Sequence, residues 1–181
     1  MTVPAHEVPA GRALLITGPV GVGKTTIAEA VGDLLRSRQV PHAVIDVDWL
    51  RRSWPTPPDD PFNAATTLRN LAAVCGNYLA DGAQRLILAG VIETRAERDA
   101  YQAAAGVPLL VCRLHADPPT IRERLTARLG AGSPELPWFV ERAATLDRVL
   151  TAAGVADTVV DAGHPVPEVA ADVLATAGLD R

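Results

Sequence analysis

The residue types best suited to chemistry sit in one run. Gly18-Pro19-Val20-Gly21-Val22-Gly23-Lys24-Thr25-Thr26 matches the pattern G-x-x-x-x-G-K-[ST]. Glycines let the backbone bend so that successive N–H groups point at the oxygens of a bound phosphate. A helix starting at the end of such a loop adds its positive dipole end beneath the same anion. Lys24 brings a compact, movable charge to the outer phosphates, and Thr25 brings a hydroxyl suited to a magnesium ion. Composition singles out the same place. Lys24 is the only lysine beside 16 arginines, in a chain that also carries 31 alanines. A planar guanidinium does not substitute for an ammonium on a flexible stem, so a sequence poor in lysine has reason to keep one here.

A second pair of reactive groups is Asp46 and Asp48, at the end of the apolar run His42-Ala43-Val44-Ile45. Residues two apart on a strand face the same way, so both carboxylates can point together. The carboxyl ends of the strands line the ligand crevice of an open parallel sheet. One acid there can hold a magnesium-bound water while the other takes a proton from an attacking hydroxyl. The alternative is that either acid caps a helix beginning near Trp49.

These residues need elements to position them. Ala13 to Thr17 is an uninterrupted apolar run, as in a strand buried on both faces. Lys24 to Ser37 has helical spacing, and further strands are predicted at 42–47, 85–92, 109–114 and 157–160. Helices are predicted at 64–79, 97–105, 119–129, 138–150 and 167–177, with Asp117 as a cap. Residues 1–12 read as a lead-in, 54–61 as a proline-rich loop and 130–137 as a Gly/Pro break. Strands alternating with helices imply an α/β fold: a five-stranded parallel sheet covered on both faces.

The glycine loop resembles the Walker A motif of P-loop nucleotide-binding proteins, which implies ATP or GTP with Mg2+. The segment from Asp46 to Arg51 resembles the D-x-D-x-[hydrophobic]-R element of adenylylsulfate kinases. Glu93 to Asp99, with Arg95 and Arg98 three apart, is similar to a following segment of the same kinases. Leu114 to Asp117, leading to Arg124 and Arg128, is similar to the helix and arginine-bearing lid of shikimate, gluconate and chloramphenicol phosphotransferase-type kinases. The resemblance spans nearly the whole chain and implies one P-loop kinase domain over 1–181, with a lid over about 117–142. It departs from adenylylsulfate kinases in having no lid lysine, and from shikimate kinases at Ala89-Gly90-Val91. Neither family's substrate carries over.

The resemblance implies a phosphotransferase moving the γ-phosphoryl group of ATP to a hydroxyl of a small molecule. Lys24, Asp48 and Arg128 are its expected catalytic residues. Residues 18–26 and Arg124 are expected at the nucleotide, and Thr25 and Asp46 at the metal. Asp48, Arg51, Glu93, Arg95 and Arg98 are expected at the acceptor, with Trp49 and Trp54 either stacking on it or buried. Arg124 and Arg128, four apart, alternatively form a solvated helix face. Cys112 reads as core and His115 as a surface histidine.

Other classes are narrowed by what the sequence lacks. No N-K-x-D element argues against a GTPase switch, and no strand ending in Asp-Glu argues against a large ATP motor. The competing class is a nucleotide-binding ATPase or regulatory module with no acceptor. A net charge of −4 argues against a nucleic-acid partner. The histidines and two distant cysteines show no zinc spacing. No leader or membrane-spanning run is read, so the expected location is the cytoplasm. Sequence leaves the oligomeric state open.

Overall fold

A computed structural model describes residues 11–179. Most of the predicted lead-in, including His6, lies outside the described residues. Five strands form one parallel sheet in the order β2-β3-β1-β4-β5. They are β1 (Arg12–Thr17), β2 (His42–Asp46), β3 (Arg85–Ala89), β4 (Leu109–His115) and β5 (Thr158–Asp161). The helices between and after them are α1 (Lys24–Ser37), α2 (Val47–Leu50), α3 (Ala64–Ala80), α4 (Arg95–Ala105), α5 (Pro118–Leu129), α6 (Leu136–Ala153) and α7 (Val166–Thr176).

The apolar run of β1 is central, pairing Leu14 with Ile87 and Leu15 with Val111. Its alternation divides the core. Leu14 and Ile16 join one cluster with Val31 of α1, Leu125 of α5 and Val169 of α7. Ala13 and Leu15 join a second with Leu71 of α3 and Tyr101 of α4. A strand with helices on both faces has no solvent side, so it reads as a continuous apolar run.

Side chains set the starts of α3, α4 and α5. Thr94 and Glu97 form a reciprocal capping box at α4. Asp117 accepts from the Thr120 amide at 2.9 Å, as expected for α5. Asp60 accepts from the Ala64 and Ala65 amides at 2.7 and 2.9 Å and so starts α3.

Two strands are shorter than predicted. Strand β2 stops at Asp46, whose carboxylate accepts from the Asp48 amide at 2.9 Å and opens the four-residue α2. Strand β3 stops at Ala89; the Gly90 amide still donates to Ile16 at 3.2 Å, and 91–93 then leave the sheet. Within the predicted lid range, Ile121 and Leu125 of α5 are buried in the core. At the start of α6, Leu136, Phe139 and Val140 pack against the same cluster.

Candidate active site

The loop 18–23 turns from β1 into α1. Gly18 has φ +147°, and an added Cβ would lie 2.7 Å from the Leu114 carbonyl oxygen. Gly23, at the N-cap of α1, has φ +104°. Such backbone is strained for any residue with a Cβ. Lys24 folds back along the loop it follows: its Nζ donates to the carbonyls of Gly18 at 3.0 Å and Pro19 at 3.1 Å. The ammonium is thus held by two carbonyls of the loop itself.

Burial pushes the Lys24 ammonium down from 10.5 to about 8. The Asp48 and Asp46 carboxylates oppose that shift, and Arg128 adds to it. Between pH 8 and 10.5 the unfolded chain therefore binds the extra proton, so this group makes stability rise with pH across that window. Ligand binding has the opposite sign, because a polyphosphate favours the charged ammonium. Polyphosphate binding is expected to take up protons near pH 8 and to weaken as pH rises further. Calorimetric titrations in two buffers of different ionisation enthalpy check this; pH-independent affinity from about 7 to 10 would contradict it.

Asp46 does two things at once. One carboxylate oxygen caps α2, and the other accepts from the Thr25 hydroxyl at 2.8 Å. Asp48 is on the first turn of α2 rather than on the strand, so the alternation argument does not hold for it. It reaches the crevice from the helix, while Val47 between the acids is buried. Asp48 pairs with Arg51 at 3.1 Å.

Two cavities open here. One, of about 440 Å³, is lined by residues 20–27 of the loop and α1, by Asp48, by Arg124, Leu125 and Arg128, and by Ala162, His164 and Val166 after β5. The other, of about 600 Å³, lies between α2, α3, α4 and α6. Val20, Lys24 and Asp48 line both. The first cavity thus holds the phosphate loop, and the second meets it at a lysine and a carboxylate.

A family model described as an AAA domain matches residues 14–146. The chain belongs to this AAA-domain family. No curated protein matches the chain in sequence. Among solved structures, a Deinococcus radiodurans tunicamycin resistance protein is 23% identical over 93% of this chain and 96% of that chain, with a TM-score of 0.65. A gluconokinase from Sinorhizobium meliloti 1021 is 21% identical over 96% and 94%, with a TM-score of 0.62. An APS kinase from Mycobacterium tuberculosis, solved with AMPPNP and APS, is 21% identical over 94% and 99%, with a TM-score of 0.58. The P-loop small-molecule kinase fold expected from the motifs is therefore the fold of this AAA domain.

Within the AAA domain, the predicted arginines divide. Arg124 braces the first cavity, donating to the Val22 carbonyl at 2.8 Å and the Ala162 carbonyl at 2.6 Å. Arg128 lines the same cavity, its guanidinium 5.4 Å from the centre of the Phe139 ring on α6. Arg51 and Glu93 line the second cavity. Arg95 is exposed at the start of α4 and lies in neither cavity wall. Arg98 is also absent from both walls: it donates to the Val155 carbonyl at 2.7 Å and clasps Asp157 with two bonds of 2.8 and 2.9 Å. Asp157 in turn accepts from the Val111 amide at 2.8 Å, so Arg98 fastens α4 to the lead-in of β5. Arg98→Ala is expected to lower stability by about 1.5–3 kcal/mol, as for hydrogen bonds to charged groups. Denaturant unfolding measures that loss; an unchanged midpoint would contradict the fastening role.

Trp49 and Trp54 are exposed and outside both walls; Arg52 stacks on Trp49 at 3.9 Å. Cys112 is buried in the core as expected. His115 is exposed, with its Nδ1 3.5 Å from Asp147. Sequence reasoning missed Tyr101, Trp138, Phe139 and Arg142 in the second cavity, and Ala162, His164 and Val166 in the first. The last three follow a parallel strand, so the rule that ligands sit at strand carboxyl ends was a signal for them.

The donor set at Thr25 and Asp46 fits magnesium: a hydroxyl and a carboxylate oxygen 2.8 Å apart beside the phosphate loop. Magnesium is commonly held by one or two protein oxygens, with phosphate and water completing its shell. Among the described residues no cluster of three or more His, Cys, Asp or Glu could hold a metal by itself.

Proposed function

We propose that this AAA domain transfers the γ-phosphoryl group of ATP to a hydroxyl of a small molecule. The observation that carries this reading is the meeting of the two cavities at Lys24 and Asp48. The loop 18–26 and Arg124 receive the nucleotide. Thr25 and Asp46 would hold magnesium, which when bound neutralises charge on the phosphate oxygens. In the second cavity Asp48 accepts the proton of the acceptor hydroxyl. The acceptor oxygen forms its bond to phosphorus as the bond from phosphorus to the bridging oxygen breaks, and the electron pair leaves on ADP. Arg51 holds the Asp48 carboxylate in place at 3.1 Å. A module that only bound nucleotide would have no use for a second cavity reaching the phosphate end of the first.

In this reading Arg128, which lines the first cavity, offsets charge developing on the transferred group. Arg128→Ala is expected to lower turnover by about 10²–10³-fold, the range for a lost transition-state donor. ATP affinity should fall much less. Steady-state kinetics beside direct nucleotide titration separates the two; equal losses in both would make Arg128 a simple nucleotide ligand.

The transfer itself is tested by ADP release over a panel of hydroxyl compounds. ADP is expected to rise with particular compounds; a rate indifferent to the whole panel would favour an ATPase or regulatory module.

A further inference from the structure

The second cavity has a chemistry that narrows its ligand. It is large, about 600 Å³, and its wall is mainly apolar. Phe62, in the turn before α3, and Trp138, on α6, are 72% and 60% exposed and both line that wall. Trp138 meets Phe139 edge to face at 4.9 Å, and Leu68 and Tyr101 continue the surface. Large aromatic faces left open toward a cavity favour a ligand that covers them.

The charged groups of the wall balance: Lys24, Arg51 and Arg142 stand against Asp48, Glu93 and Glu97. Its two arginines each face a carboxylate: Arg51 lies 3.1 Å from Asp48, and Arg142 lies 3.4 Å from Glu93. Glu97 is committed to the capping box of α4. Lys24 serves the phosphate loop. Arg95 and Arg98, the cations that would have suited an anionic acceptor, lie outside the wall. An anion entering the cavity would therefore meet Asp48, Glu93 and Glu97 as well as Lys24, Arg51 and Arg142, with no excess of positive charge to draw it in. An anion leaving water for this wall would gain no net counter-charge to offset its lost hydration.

We infer that the acceptor is an uncharged, hydroxyl-bearing molecule with an aromatic or aliphatic body, not an anionic metabolite. This rests on the phosphotransferase reading of the site. The apolar body covers Phe62 and Trp138, while the hydroxyl lies toward Asp48. Recognition is then by apolar area and a single directed proton, without a guanidinium clamp.

Matched probes test this by calorimetry on the full chain with magnesium and a non-hydrolysable ATP analogue. One pair is 4-nitrophenyl β-glucoside and its glucuronide; another is 4-(hydroxymethyl)benzamide and 4-(hydroxymethyl)benzoate. Within each pair the neutral member is expected to bind about tenfold tighter, because the anion sheds hydration without gaining a net counter-charge. Glu93→Gln frees Arg142 and is expected to narrow that gap by strengthening the anion. Equal or tighter binding of the anions to the unaltered protein, or no binding of either neutral probe, would overturn the inference. So would a gap unaffected by Glu93→Gln.

ADP release with ATP is read separately on the same probes. Neutral preference without ADP supports the ligand class and counts against transfer. ADP formed with an anion but not with its neutral partner supports transfer and overturns the ligand class.

Discussion

Lys24→Ala is expected to reduce turnover by about 10³-fold or more, the scale of losing a charge that stabilises a transferring phosphoryl group. The fold should survive, because the side chain packs along the loop and contributes to neither core cluster. The unliganded protein should lose little stability, since burial opposes the charged ammonium. Lys24→Arg is expected to fail as well. The ammonium fits between two carbonyls at 3.0 and 3.1 Å, a place that a planar fork does not fill in the same way. Turnover measured with ATP and a productive acceptor, beside a thermal melt, tests both variants. Near-unaltered turnover in Lys24→Ala would remove the phosphate-cradle role.

The second large effect is expected at Asp48. Asp48→Asn keeps the shape of the side chain and removes its capacity to take a proton. Turnover should fall by about 10²–10⁴-fold, the usual worth of a general base. ATP should still bind, because the loop and Arg124 remain in place. Asp46→Asn is expected to behave differently and raise the magnesium requirement, since Asp46 is the acid bonded to Thr25. Turnover and nucleotide affinity, measured over a range of magnesium concentrations, distinguish the two. Exchanged phenotypes would reverse the assigned roles, and unaffected kinetics in both would leave the acids as a helix cap and its neighbour.

What the sequence made legible was local. The loop 18–26, the start of α1 at Lys24 and the buried β1 all rest on short-range rules, and the structure shows each of them. The same holds for the Asp117 cap. The site became harder to read where it depends on contacts between distant segments. Trp138, Phe139 and Arg142 face the second cavity from α6, and no spacing near Asp48 points to them. Arg98 looked suited to an anion because its partner, Asp157, is 59 residues away. Asp48 reached the crevice, but from a helical turn that Asp46 itself starts. A carboxylate that caps a helix and also meets Thr25 cannot be sorted from sequence into one role.

The most direct measurement follows the phosphoryl group itself. The protein is incubated with magnesium and ATP labelled at the γ-phosphate, together with neutral hydroxyl compounds that bind the second cavity. The expected result is label in a phosphate ester of the acceptor, formed in step with ADP and lost in Lys24→Ala and Asp48→Asn. Label found only in inorganic phosphate, at a rate indifferent to every bound compound, would contradict phosphoryl transfer at this site.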